Sequence, residues 1–137
     1  MKKYQALVIC IGVVLSVIIY CCGNASNSSA VAVSMTNQNL FIPSDILVIP
    51  GQVVQWTNMD TVAHTVVADP GTTVGGPDSD LTHPNGIMAG GIYTWPVPST
   101  ATTGMIWYYH DRLNGTAGSG TSLGGGMAGI ITVAAGF

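Results

Sequence analysis

The stretch Asp45–Asn58, DILVIPGQVVQWTN, confines this chain to a narrow set of folds. Two short apolar runs flank Pro50-Gly51, a dipeptide that makes turns. In the second run Val54 and Trp56 fall on one face, and Gln55 and Thr57 on the other. A period of two belongs to a half-buried strand and not to a helix. Val31–Thr36, His64–Ala68, Ile92–Val97, Met105–His110 and Ala128–Ala134 also read as strands bounded by turn residues. With 18 glycines, 7 prolines and no glutamate, the chain lacks what long helices need on their surfaces. The expected fold class is all-β, a sandwich of about seven to eight strands.

Residues 1–21 are a separate object. Lys2 and Lys3 precede an apolar run from Ala6 to Cys22, the form of a secretory leader. The run is a little short of the roughly 20 residues a spanning helix needs. Its end, VIIYCCGN, resembles a lipobox, the cleavage signal of bacterial lipoproteins, and this resemblance makes Cys22 the lipidated residue. Cys21 is the poorer acceptor, because the bulky Tyr20 precedes it. Residues 22–30, CGNASNSSA, are then a flexible polar tether, and 31–137 the folded domain. The expected location is periplasmic or cell-surface, with a lipid anchor in the membrane.

The cysteines remove one whole class of chemistry. All three, Cys10, Cys21 and Cys22, lie in or at the end of the leader, so the domain has neither a disulfide nor a thiolate ligand. Beyond the leader the chain carries Arg112 against Asp45, Asp60, Asp69, Asp78, Asp80 and Asp111, a formal charge of −5 with His neutral. Such a surface excludes nucleic acid, which wants a basic patch, and suits a basic partner protein or cations. Between the strands lie a Gly-, Pro- and Asp-rich loop, Asp69 to Gly91, and a low-complexity tract, Gly115–Gly126, which reads as a long loop whose glycines should leave it mobile.

ILVIPGQVVQWTNMDTVAHTVVAD resembles the first half of a cupredoxin, with a glycine turn, a V-x-W-x-N strand, an Asp and a His-Thr-Val. GIMAGGIYTWPV resembles the small-residue turn and aromatic strand of plastocyanin-like proteins, and GMIWYYH with GMAGIITV resembles the closing strands. The likeness runs from Val31 to Val133. It implies a Greek-key β-sandwich with copper at one end, held by an early His and by a Cys, a second His and a Met near the end of the chain. Carried over, the first His is His64 and the Met is Met127. Aligned on the Cys-to-His spacing, Asp111 stands for Cys and Asn114 for His. Aligned on the distance from Gly104, His110 stands for Cys. GMIWYYHDRLNG also resembles the first domain of multicopper oxidases, whose three-copper cluster lies between domains and needs more than one.

The resemblance therefore makes His64, His110 and Met127 the expected metal residues, with Asp111, Asn114 and His83 as weaker candidates. A strand alternates faces, so only one of His110 and Asp111 can point at a metal without a bulge. Imidazole and carboxylate suit Cu(II) and a thioether suits Cu(I), so one copper ion in a Cys-less site is the expected cofactor. Zinc would also accept such ligands in vitro. His83, before Pro84 in a polar loop, is otherwise a solvated side chain. No nucleophile and base stand at a spacing that argues for an enzyme. The implied function is electron transfer or copper handling with a redox or copper-handling partner. The alternative is a degenerate sandwich without metal, serving as a structural or protein-binding module.

Overall fold

The structure, a computed structural model, describes residues 29–135. The expected signal peptide, residues 1–21, and the expected lipidation site, Cys22, lie outside the described residues. Eight strands form two four-stranded sheets, as the alternating runs require. One sheet has the order β2 (Phe41–Ile42), β1 (Val31–Met35), β4 (Val53–Asn58), β6 (Ile92–Pro96). The other has the order β3 (Asp45–Val48), β8 (Gly125–Val133), β7 (Ile106–Thr116), β5 (Val67–Ala68). The pairs β1–β4 and β3–β8 are parallel, and the remaining pairs are antiparallel. Among the described residues the only helical element is a short 3-10 turn, Ser79–Leu81, and no helix is long and apolar enough to cross a membrane.

The inward faces follow the period of two. In β4 the buried residues are Val54, Trp56 and Asn58; in β6, Tyr93 and Trp95; in β3, Ile46 and Val48. Aromatic rings join the sheets: Trp56 meets Tyr109 edge-on at 5.5 Å, and Trp95 meets Trp107 at 5.1 Å. Each buried ring removes a large apolar area from water, worth about 1.5–3 kcal/mol, and edge-to-face pairs add about 0.5–1.5 kcal/mol. Burial pushes the Tyr109 phenol well above its ordinary pKa, so this ring stays neutral.

Two elements differ from the sequence expectation. His64 to Val66 is not strand: His64 makes only an isolated bridge to Ile87, and β5 begins at Val67. The glycine tract is not an open loop. β7 runs on to Thr116 and β8 starts at Gly125, so Gly115 pairs with Gly126 and Thr116 with Gly125. Between them Ser119 bridges Ser122, and the Gly118 N–H donates to Asp69 Oδ2 at 2.8 Å. The glycines are there for close backbone packing. A Cβ at Gly120 would run into the carbonyl of Gly71, and one at Gly124 into that of Thr116.

Candidate functional site

The chain leaves β4 at Asn58, whose side chain shapes the end of the sandwich. Asn58 Nδ2 donates to the carbonyls of Val62 and Ile87, both at 2.7 Å, and its Oδ1 accepts the Asp60 N–H. These bonds hold residues 59–63 as a compact turn and deliver His64 inward, where it is fully buried. From the other sheet, Trp107, Tyr109 and Asp111 alternate into the sandwich along β7. The β7–β8 register breaks between His110 and Gly115. That bulge frees the backbone around Asp111 and lets Asn114 fold back over it.

Asp111 is the hub of what results. Its Oδ2 accepts from His64 Nδ1 at 2.7 Å and from Asn114 Nδ2 at 2.7 Å. Its Oδ1 accepts the Thr65 N–H at 2.9 Å, the Thr65 hydroxyl at 2.8 Å and the Leu113 N–H at 3.0 Å. Burial works against its charge, yet the bonds from His64, Asn114, Leu113 and Thr65 prevail and hold its pKa below the usual carboxylate value. The other ring nitrogen, His64 Nε2, meets Asp60 Oδ2 at 3.1 Å. The Asp60 carboxyl is also held low, first by the Thr61 N–H and then, against some burial, by His64. Arg112, next along β7, turns outward and pairs with Asp80, which raises its own pKa.

The structure thus brings His64, Asp111 and Asn114 together and sends His110 elsewhere. His110 Nδ1 lies 2.6 Å from Asp69 Oδ1, in the pair that also secures Gly118. Met127 is fully buried in the core of β8. His83 bonds Thr82 Oγ1 and stands edge-on to Tyr93, with no bond to this cluster. Sequence reasoning passed over Asp60, Thr65 and Asp69. The i, i+4 spacing of Asp60 and His64 was the one local signal available. Thr65 and Asp69 act on partners more than 40 residues away.

These residues do not fit a copper centre of the His₂Cys kind. There is no thiolate, and the third side chain against His64 and Asp111 is the amide of Asn114, not a second imidazole. Both nitrogens of His64 face carboxylates, and His64 Nδ1, Asp111 Oδ2 and Asn114 Nδ2 lie 2.7–3.2 Å from one another. Donors bound to one ion at about 2.0 Å in a tetrahedral set stand roughly 3.3 Å apart. The atoms are therefore at hydrogen-bond spacing. Among the described residues no group of three or more His, Cys, Asp or Glu side chains is placed to hold a metal ion. Beside the cluster and sharing Asn114 with it, Leu113, Asn114, Gly115, Thr116, Gly125 and Gly126 line an open groove of about 320 Å³. Met59 and Val62 on the turn that follows β4, Met88 next to Ile87, and Leu113 in the β7 bulge are exposed.

No family model matches this chain, and no curated protein matches it either. Among solved structures the chain is similar to amicyanin. A reduced Cu(I) form of an amicyanin variant at pH 4 is 17% identical, with a TM-score of 0.52 over 77% of this chain and 82% of that one. Amicyanin from Paracoccus versutus (Thiobacillus versutus) is 16% identical, with a TM-score of 0.51 over 77% and 81%. At such identity the likeness concerns the fold.

Proposed function

The chain has a cupredoxin-like β-sandwich fold, and from that premise we propose that it is an exported, lipid-tethered, non-enzymatic module. It binds a basic partner protein through the end of the sandwich that holds His64. The observation that carries this reading is the closure of His64: each ring nitrogen meets a carboxylate oxygen, at 2.7 and 3.1 Å. A ring held in this way has no lone pair turned toward an open ligand position. The exposed Met59, Val62, Met88 and Leu113 offer that end apolar contact area, and the excess of aspartates favours a cationic partner.

A second reading, copper handling or electron carriage, is favoured by one observation. Three polar side chains, His64, Asp111 and Asn114, converge on one point. A Cu(II) or zinc ion there would have to part Asp111 from its hydrogen-bond donors. Met127 and His110 would contribute only after rearrangement, since one is in the core and the other pairs with Asp69. Calorimetric titration of the mature chain with Cu(II) decides between the two. The expected result is the same weak heat from the unaltered chain and from His64→Ala. Binding of one Cu(II) per chain that disappears in His64→Ala would replace the module reading by the second one.

A further inference from the structure

The backbone ladder between β5 and β7 ends at the pair Val67–His110. Beyond it the two segments stay together without further ladder pairs, and side chains supply the bonds. The Thr65 N–H, facing β7, is taken by Asp111 Oδ1 at 2.9 Å. The Arg112 N–H, facing back, is taken by Thr65 Oγ1 at 2.7 Å. The Thr65 hydroxyl proton goes to Asp111 Oδ1 at 2.8 Å. The carboxylate also caps the bulge through the Leu113 N–H, and His64 and Asn114 fill its second oxygen. One fully buried carboxylate therefore accepts five hydrogen bonds, three from the His64–Thr65 segment 46–47 positions away in the chain and two from its own bulge.

We infer that Asp111 is the fastening of this end of the sandwich. Its carboxylate extends the β5–β7 ladder by side-chain bonds and makes, between the same two segments, the cross-link that a metal ion shared by them would make. Removing one partner of a buried hydrogen-bonded charge leaves the others unsatisfied, which costs far more than an exposed ion pair. The residues are therefore energetically coupled, with His64 and Thr65 acting through Asp111. This rests on the metal-free reading above.

The test is a double-mutant cycle in urea, without metal, on the full mature chain, using His64→Gln, Asp111→Asn and both together, with amide hydrogen exchange on each variant. Asp111→Asn is expected to lower the folding equilibrium constant at least about tenfold. The double variant should be no less stable than Asp111→Asn, and exchange at the Thr65 and Leu113 amides should accelerate. Multiplying single effects, or unchanged exchange at those amides, overturns the fastening. Should Asp111→Asn not fold, Thr65→Val serves: it should speed exchange at the Arg112 amide, whose acceptor it removes, and unchanged exchange there is equally fatal. Repeating the exchange on the unaltered chain with one equivalent of Cu(II) keeps the two ideas apart. Slowing by copper would sink the metal-free reading, and the metal-free cycle would still judge the fastening by itself.

Discussion

Asp111→Cys combined with Asn114→His should give a chain that binds copper and absorbs strongly in the visible. The unaltered domain should do neither. The expectation comes from placement. The side chain of residue 111 faces His64 Nδ1, and that of residue 114 lies 3.2 Å from the same nitrogen. A thiolate and an imidazole in those two places complete a His₂Cys set, the donor combination of blue copper sites. The strong band requires charge transfer from sulfur to copper, so Asn114→His alone should give at most a pale form. Absorption spectra and electron spin resonance of the copper-loaded variants check this. A folded double variant that stays colourless would show that position 111 does not face the site.

Valine at Gly120 or Gly124 should unfasten the β7–β8 hairpin. In each case the new side chain would meet backbone, the Gly71 carbonyl or the Thr116 carbonyl, and backbone cannot swing aside as a flexible side chain can. Overpacking of this kind costs about 1–3 kcal/mol, and the left-behind bonds of Asp69 to Gly118 and His110 add to the loss. Urea unfolding should show the drop, with faster exchange at Gly118. Stability equal to that of the unaltered chain would mean that the tract is the mobile loop its composition suggests.

That tract shows where reading the sequence stops. Alternation in Val54, Trp56 and the aromatic strands reports local periodicity, so the sandwich was legible. The hairpin was not, because a glycine-rich run looks the same whether its glycines serve freedom or close approach. Only the positions of the Gly71 and Thr116 carbonyls tell these apart. The choice between His110 and Asp111 was left open for a related reason. Both are buried, on opposite sides of β7, and each has a partner set by tertiary structure: Asp69 for one, His64 and Thr65 for the other. The aspartate and asparagine that stand at the spacing of a Cys and a His were visible in the sequence. That they bond to His64 and to each other was not.

The most direct test of the proposal that this end of the sandwich holds no metal is elemental analysis of the protein purified from its native compartment, without added metal or chelator. Far less than one copper or zinc per chain, removed by gentle dialysis, is the expected result. One tightly held copper per chain, lost in the His64→Ala variant, would contradict it.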